Sequence, residues 1–494
     1  MKAVTPLVLV VIVLIQAGLF IANSSSTVDE MTYLQMADAA LNRRDRSDFA
    51  KKGVAPLPVI VEYALPVLND VSNHAHAIFL ARAAVVAFAA VPAVLIVYFW
   101  MAAQFGTTAA AVAAALTALS PNIVAHGSIA TTDAAFLSAA LLMLWTLARY
   151  LEQPRWNRAV QLVVAGGLAF ATKFSGVMLF GVAGIVCLFV DRPTQPVGTR
   201  LLRTVSLLLA MAAVGVALAW NYRPIDGLLS QLSHQRLGHV GYLLGHRSSD
   251  GWWYYQPVAL AVKSTYVELI AFISALVAFA MLWRTVIVVR IWCIAFVMLL
   301  ALSMLSHVNI GVRYVLLLIP LALMTVTAFV ATRASRSVAL AIGVGAVASQ
   351  LVVAVGASPR YLSYFNGLAG GPMNGYRLLA DSNLDWGQDL PAMRQVLASV
   401  SAREPLAAYF GSAPPDAYDV HVWLWDIAGP QVKTRADWIV ISATYLDGLY
   451  VDNDPFEAFR AIEPTARPTP TLFLYSAQRP EVKAALAQAM ARRP

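Results

Sequence analysis

Two adjacent acidic residues, Asp29 and Glu30, follow the apolar N-terminal segment of this chain by about seven residues. Carboxylates just outside a first membrane helix would lie at the water–lipid boundary, where a lipid-borne substrate presents its headgroup. An ionised carboxylate in that position can act as a general base toward a hydroxyl group. The local pattern also has a structural explanation, because Thr27-x-x-Glu30 is a capping box and acids favour a helix N-terminus. The two interpretations are compatible.

A third acid, Asp133, stands in the sequence Thr131-Thr132-Asp133 at the predicted start of another apolar segment. Threonine and aspartate at such a place are typical of a helix N-terminus. An ionisable residue at the mouth of a membrane segment is also a hypothesis for a functional site. Asp133 is predicted to face the same side of the membrane as Asp29, so both are candidates for chemistry.

Four cations near the predicted membrane boundaries are candidates for contact with a phosphate group: Arg82, Lys173, Lys263 and Arg313. Each also has a structural explanation, because long basic side chains commonly extend to the membrane interface without binding a ligand. Two further candidates complete the set. Glu62 is either a solvated loop acid or another carboxylate of the site, and His246 lies in a loop rich in histidine, glycine and aromatic residues.

The composition indicates a membrane protein. Of 494 residues, 59% are hydrophobic and only 13% are charged, whereas soluble proteins carry roughly 25% charged residues. A net charge of +8 would suggest nucleic acid in a soluble chain, but here the excess arginine stands mostly in short loops and indicates topology. No cysteine and histidine spacing predicts a metal site, so no cofactor is assigned and the use of a divalent metal stays open.

Apolar runs of about 20 residues can cross a bilayer as helices. Such runs recur along the first three-quarters of the chain and predict a polytopic α-helical fold with about eleven spans. The first is expected to stay in the mature protein, because no clean cleavage site follows it. The predicted spans are 5–22, 77–102, 107–123, 131–151, 159–173, 176–190, 201–220, 257–283, 287–305, 312–331 and 338–356.

The distribution of basic residues predicts the orientation of these spans. Positive charge concentrates in alternate loops, which marks one side as cytoplasmic and places the N-terminus there. Loop 23–76 and loop 221–256 are then expected to be extracytoplasmic, and the protein is expected to be an integral membrane protein. The residues on the cytoplasmic side are Lys2, Arg149, Arg155, Arg158, Arg192, Arg200, Arg203, Arg284, Arg290, Arg333 and Arg336.

The composition changes after residue 356. Apolar runs shorten to the length of strands, at 406–410, 438–442 and 471–475, and helical patterns lie between them. We therefore expect two domains: a transmembrane domain over 1–356, with its first extracytoplasmic loop at 23–76, and a small extracytoplasmic α/β domain over 357–494.

The cytoplasmic loops are short, and no glycine-rich nucleotide motif follows a strand. An enzyme built in this way needs an activated substrate that is already in the membrane, and a polyprenyl-phosphate sugar meets that need. Two other classes remain open. A transporter or flippase for a lipid-linked or small polar substrate would place charges near the bilayer midplane, and a non-catalytic scaffold would use the C-terminal domain to recruit partners.

The order of these motifs resembles a known group of enzymes: glycosyltransferase family 39, which includes the protein O-mannosyltransferases, and the aminoarabinose lipid A transferases. The resemblance covers roughly residues 1–356, and 364–445 is similar to the C-terminal domain of bacterial members. Two departures are Ala55-Pro56-Leu57-Pro58, where members often have His-Pro-Pro, and Lys263-Ser-Thr in place of Lys-Thr-Pro. The motifs are Asp29-Glu30-x-x-Tyr33, Ser120-Pro121, Thr132-Asp133, Thr172-Lys173 and Arg313-Tyr314.

The resemblance implies a GT-C fold and an inverting transferase that uses a polyprenyl-phosphate-linked sugar on the extracytoplasmic face. It implies that Asp29 is the catalytic carboxylate, that Glu30 aids it, and that Asp133 is a second carboxylate nearby. Arg82, Lys173 and Arg313 would contact the donor phosphate. The resemblance also implies a bacterial inner or cell membrane as the location. The acceptor is expected to be a protein, lipid or glycan, membrane lipids are expected to surround the enzyme, and no nucleic acid partner is expected.

Overall fold

The computed structural model describes residues 4–190, 195–284, 286–425 and 436–491, so Lys2 and Arg192 of the basic pattern lie outside the described residues. Helices dominate as far as residue 357. Those of the first third are α1 Val4–Ala22, α2 Val28–Leu41, α3 Ser47–Lys52, α4 Pro56–Leu68, α5 His74–Val85, α6 Val91–Ala118 and α7 Pro121–Gly127. The middle part contains α8 Thr132–Glu152, α9 Trp156–Thr172, α10 Val177–Ile185, α11 Val197–Leu218, α12 Pro224–Leu237, α13 Tyr255–Lys263, α14 Tyr266–Leu282, α15 Ile287–Met304, α16 Leu318–Arg333 and α17 Arg336–Ala357.

Six helical segments in the described residues are long and apolar enough to cross a membrane: Val4–Ala22, His74–Ala118, Thr132–Glu152, Val197–Leu218, Ile287–Met304 and Arg336–Ala357. Four shorter apolar segments accompany them: Pro56–Leu68, Phe174–Val190, Tyr266–Leu282 and Leu318–Arg333. The chain therefore has the composition and helices of an integral membrane protein. The number of eleven spans stays a prediction.

The predicted spans 77–102 and 107–123 form one long helical segment, His74–Ala118. A π-helical turn at Val86–Ala90 joins α5 to α6. Within α6, Gly106 has φ of 84° and interrupts the helical geometry. Glycine adopts this left-handed region readily because it has no Cβ, so the break lies where the sequence prediction divides the two spans.

The prediction of one span over 257–283 was wrong, because the helix stops at Lys263 and restarts at Tyr266. Thr265 caps the second helix: its hydroxyl accepts a hydrogen bond from the Glu268 amide, and Glu268 accepts one from the Thr265 amide. This Thr-x-x-Glu pattern is a capping box. The sequence signal for the break was therefore present but hidden within an apolar run.

The first loop folds into a helical layer of its own. Helix α2 packs against α4, and α4 packs against α5. The contact buries Met31 and Ala37 of α2 against Val59 and Tyr63 of α4. The buried face of α2 thus fixes the helix that carries Asp29 and Glu30.

The C-terminal part contains a five-stranded sheet in the order β4-β3-β5-β7-β6. Strands β4, β3 and β5 are parallel, whereas β7 is antiparallel to both β5 and β6. A two-stranded hairpin, β1–β2, precedes it in loop 221–256. The elements are β1 Gly241–Leu243, β2 His246–Ser248, α18 Leu390–Ser399, β3 Leu406–Ala408, β4 Trp423–Leu424, β5 Trp438–Ser442, α19 Ala443–Leu446, β6 Ala466–Thr469, β7 Leu472–Ser476 and α20 Pro480–Ala491.

Backbone hydrogen bonds tie the start of the first loop to the segment that precedes α18. The Ser25 amide donates to the Gln388 carbonyl at 2.8 Å, and the Val28 amide donates to the Trp386 carbonyl at 3.1 Å. Val28 is the residue before Asp29. The C-terminal part of the chain therefore directly holds the backbone of the predicted catalytic segment.

Candidate functional site

Glu30 and Arg82 form a buried ion pair. Arg82 Nε lies 2.7 Å from Glu30 Oε1 and Arg82 Nη2 lies 2.8 Å from Oε2, and the two side chains are only 1% and 0% exposed. Glu30 also accepts hydrogen bonds from the amides of Thr27 and Ala130. The Glu30 side chain thus caps the N-terminus of α2, and it also connects α2 to the segment just before α8 through the Ala130 amide.

This pair leaves Arg82 without a donor for a phosphate group. Its other N–H groups donate to the carbonyl and hydroxyl oxygens of Ser24 and to the Ser25 carbonyl. All five N–H groups of the guanidinium therefore have protein partners. In this structure Arg82 stabilises the first loop, which weighs against its expected contact with a donor phosphate.

Asp29 differs from its neighbour Glu30 because it points toward solvent and toward a different cation. The side chain of Asp29 is 28% exposed, and its Oδ2 accepts a hydrogen bond from Arg313 Nη1 at 2.7 Å. Arg313 lies on a short 3₁₀ turn, Val312–Val315, directly before α16. The carboxylate is held in place yet remains open to a ligand.

Asp133 connects this pair to Lys173. Lys173 Nζ lies 2.5 Å from Asp133 Oδ1, and Arg313 Nη1 lies 3.7 Å from Asp133 Oδ2. Asp133 is the second residue of α8, and Lys173 follows the last residue of α9. Four residues that are distant in the sequence thus form a continuous chain of charge, Asp29–Arg313–Asp133–Lys173.

Arg313 retains the capacity to bind an anion. Its Nε is buried and has no hydrogen-bond partner among the residues that the structure describes. An unpaired buried N–H group is unfavourable unless a ligand or water satisfies it. The guanidinium carbon lies 4.3 Å from the centre of the Trp386 ring, and Lys173 Nζ lies 4.8 Å from the centre of the Tyr314 ring. Aromatic faces therefore flank both cations.

Lys263 lies away from this chain of charge and is almost fully buried, at 1% exposure. Its ammonium donates to the carbonyl oxygens of Leu362 and Asn383 and lies 4.6 Å from the centre of the Phe365 ring. These partners hold the C-terminal part against α13. The structure thus gives Lys263 a structural role rather than the predicted contact with a headgroup.

The two remaining candidates do not join the chain of charge. Glu62 is buried, and it lines an apolar cavity of about 320 Å³ that also includes Ala135 and Thr172. Its Oε2 has no hydrogen-bond partner in the described part of the chain. His246 is exposed on the β1–β2 hairpin, opposite Leu243.

Two residues near the site, Tyr33 and Trp386, were not predicted as site residues from the sequence. Tyr33 lies one turn after Asp29, and burial together with the Asp29 carboxylate raises the pKa of its phenol well above the usual value. Trp386 is buried, and its ring lies against the Arg313 guanidinium. Only the Asp29-Glu30-x-x-Tyr33 spacing offered a signal for Tyr33, and no local signal marked Trp386.

The chain resembles known proteins in part of its sequence and in its fold. Residues 58–220 match the family model for dolichyl-phosphate-mannose-protein mannosyltransferase. The fold is similar to that of ArnT from Cupriavidus metallidurans in the apo state, with a TM-score of 0.51, 14% identity, and coverage of 98% of this chain and 99% of that chain. ArnT bound to undecaprenyl phosphate gives a TM-score of 0.50, 12% identity, and coverage of 96% and 97%.

No curated protein matches the chain. The family model covers the first-loop helix α4 through α11, and the structural likeness extends over nearly the whole molecule. At this level of identity the likeness to ArnT establishes the fold. The chain thus has a GT-C fold and resembles the protein mannosyltransferases and the aminoarabinose lipid A transferases, as its motifs indicated.

Proposed function

We propose that this protein is a membrane glycosyltransferase that moves a sugar from a polyprenyl-phosphate carrier to an acceptor hydroxyl. The family match and the fold both support a transferase over a transporter. The observation that carries the proposal is the chain of charge Asp29–Arg313–Asp133–Lys173, in which the partly exposed Asp29 carboxylate pairs with Arg313 and a second cation, Lys173, is joined to Arg313 through Asp133. The transferred group is a hexosyl or pentosyl unit.

Asp29 acts as the general base in this proposal. The acceptor oxygen attacks the anomeric carbon and its proton passes to the Asp29 carboxylate, which is accessible to a bound hydroxyl group. As the new C–O bond forms, the bond between the anomeric carbon and the phosphate oxygen breaks, and the electron pair leaves with the polyprenyl phosphate. A single displacement of this kind inverts the anomeric configuration.

Arg313 and Lys173 stabilise the leaving phosphate. The unpaired Nε of Arg313 supplies a donor for a phosphate oxygen, and Lys173 supplies a second positive charge at the same place. Charge stabilisation by donors already in position is a major source of enzymatic rate. Asp133 positions both cations, because it contacts Lys173 and Arg313 together.

The apolar cavity beside Thr172 fits the part of the carrier lipid closest to its phosphate. The cavity has a volume of about 320 Å³ and is lined mainly by aliphatic side chains and Phe88. Thr172 is the residue before Lys173, so a lipid in the cavity would have its phosphate within reach of the ammonium. The polyprenyl-phosphate carrier is therefore the expected lipid partner.

The orientation follows from the basic residues. Arg333 and Arg336 lie at the end of α16 and the start of α17, and the charge pattern assigns that end to the cytoplasm. The chain of charge at Asp29 and the α/β part over 357–494 are then extracytoplasmic. We infer that transfer occurs on this extracytoplasmic face, which is consistent with a lipid-linked donor.

A deletion strain tests the proposal. Mass spectrometry of its lipid extract should show accumulation of a polyprenyl-phosphate sugar, together with loss of that sugar from one class of envelope glycan, lipid or protein. The wild-type gene should restore both, whereas Asp29→Asn should restore neither. If the lipid-linked sugars and the envelope sugars are unchanged by the deletion, the proposed function is wrong.

A further inference from the structure

Three residues from distant parts of the chain form a second polar cluster. The Tyr450 hydroxyl donates to Asp381 Oδ2 at 2.5 Å and lies 3.1 Å from His239 Nε2. Because a phenol has one proton, Tyr450 donates to the carboxylate and accepts from the imidazole N–H. The three side chains therefore form one hydrogen-bonded chain that runs from His239 through Tyr450 to Asp381.

The same segment of the chain contacts both this cluster and the chain of charge Asp29–Arg313–Asp133–Lys173. The segment Val308–Arg313 contacts both: Val308 pairs with His239 in an isolated bridge, and Ser382 Oγ donates to the Ile310 carbonyl at 2.6 Å. Five residues after Val308, Arg313 holds Asp29. One short segment thus places the cluster beside the proposed base.

Backbone conformation at the cluster is unusual for its residue types. Asp381 and Tyr450 have φ of 55° and 56°, in the left-handed region that residues other than glycine seldom occupy. Such strain concentrates at functional sites, where the surrounding structure maintains it. Two of the three residues of the cluster, Asp381 and Tyr450, therefore have a backbone conformation that the surrounding structure must maintain.

The chemistry of the cluster fits the hydroxyl groups of a sugar. Asp381 is buried; its Oδ1 accepts a hydrogen bond from the Ser382 amide and its Oδ2 accepts one from the Tyr450 hydroxyl, and each carboxylate oxygen has a second lone pair that can accept a further hydrogen bond. Tyr450 is 36% exposed, which gives the cluster access to a ligand, and its ring stacks on Phe410 with centroids 5.4 Å apart. Small-ligand sites combine aromatic surfaces with a few placed polar groups of this kind.

Electrostatics agree with the geometry. Burial raises the pKa of Asp381, and the Arg313 charge opposes that rise. Burial, His234 and Arg313 lower the pKa of His239, so its imidazole is neutral near pH 7 and can donate through one nitrogen while the other accepts. The groups that act on His239 are thus His234 and Arg313, with Asp29 opposing them.

We propose that Asp381, Tyr450 and His239 form a subsite that binds the hydroxyl groups of a sugar next to Asp29. This inference rests on the proposed function and assigns a part of the C-terminal region to substrate recognition. The sugar belongs either to the lipid-linked donor or to a glycan acceptor. Both present the same hydroxyl chemistry, and the experiment distinguishes them.

The test compares two lipids and one conservative variant. Tyr450→Phe removes the hydroxyl but keeps the ring that stacks on Phe410. The full-length protein in nanodiscs is titrated with undecaprenyl phosphate and with the polyprenyl-phosphate sugar purified from the deletion strain. Tyr254→Phe, at a tyrosine before α13 and outside the cluster, is the matched control.

If the subsite holds the donor sugar, Tyr450→Phe raises the Kd for the sugar-bearing lipid about tenfold and leaves the Kd for undecaprenyl phosphate unchanged. If it holds an acceptor sugar, both lipid affinities stay the same and the KM for the acceptor rises about tenfold. Asp381→Asn should act in the same direction. If Tyr450→Phe folds like the control and changes none of these values, the inference is wrong, whereas failure of the wild-type protein to bind either lipid overturns the proposed function instead.

Discussion

Arg313 Nη1 donates a hydrogen bond to Asp29 Oδ2 across 2.7 Å, although the two residues are 284 positions apart in the chain. The neighbouring Glu30 takes a different partner, Arg82, and is buried with it. The two adjacent acids therefore have different roles. Glu30 anchors the helix, and Asp29 presents its carboxylate at the surface of the site.

Arg313→Ala should weaken binding of undecaprenyl phosphate about 10- to 100-fold, because hydrogen bonds to charged groups contribute about 1.5–3 kcal/mol. Arg313→Lys should remain impaired, since an ammonium cannot reproduce the planar guanidinium. Titration in nanodiscs measures both. Arg394→Ala, at an exposed ion pair with Asp419, is the control, and unchanged lipid affinity in Arg313→Ala would contradict the assignment.

Arg82→Ala should lower the stability of the fold more than it alters lipid binding. Removing one partner of a buried ion pair destabilises proteins by about 3–5 kcal/mol, because Glu30 would be left buried and unpaired. Thermal unfolding in detergent should show a clear drop in Tm. Arg43→Ala, at an exposed pair with Asp38, should not. If Arg82→Ala keeps the wild-type Tm but loses affinity for undecaprenyl phosphate, Arg82 contacts the donor phosphate and the structural assignment is wrong.

Ionisation of the buried Asp385 should lower the free energy of unfolding as pH rises toward 7. Burial raises its pKa to about 7, whereas an unfolded aspartate ionises near pH 3.9. The folded state then binds more protons between about pH 4 and 7, so the stabilisation present at low pH is lost across that interval. Asp385→Asn removes the effect, and its Tm relative to wild type should increase from pH 5 to pH 8.

The exposed Asp419, which pairs with Arg394, provides a control in the same part of the chain. Asp419→Asn should show no such trend relative to wild type. A constant Tm difference between Asp385→Asn and wild type over this pH range would mean that Asp385 is ionised in the folded protein throughout.

Cysteine labelling tests the orientation. In a background that lacks the two native cysteines, Cys187 and Cys293, Ala398→Cys on α18 should react with a membrane-impermeant maleimide in intact spheroplasts. Ser337→Cys on α17 should react only after permeabilisation, because the basic end of α17 is expected in the cytoplasm. Both positions are exposed. The reverse labelling pattern would invert the topology.

The sequence carries much of the site because its signals are local. Asp29 and Asp133 are marked by helix starts, and Lys173 and Arg313 are marked by their place at the ends of apolar runs. The structure brings these four together. The roles of Arg82 and Lys263 depended on distant partners: Glu30 lies 52 residues from Arg82, and Asn383 lies 120 residues from Lys263.

The cluster of His239, Asp381 and Tyr450 was beyond sequence reasoning for a similar reason. Its members come from the loop before β1, a 3₁₀ turn and the segment after α19, and no spacing rule links them. Periodicity also failed at Ser264, because the apolar runs on both sides of Lys263-Ser264-Thr265 were joined into one span across a helix break. Apolar runs predict burial in a membrane protein better than they predict where a helix ends.

The most direct test of the account is the transfer rate of purified Asp29→Asn, measured from the polyprenyl-phosphate sugar under single-turnover conditions. Loss of a general base should reduce the rate about 10²- to 10⁴-fold while donor affinity stays within a few-fold of wild type. Asp48→Asn, at an exposed acid of the same loop, should transfer normally. A rate for Asp29→Asn close to that of wild type would contradict the assignment of Asp29 as the base.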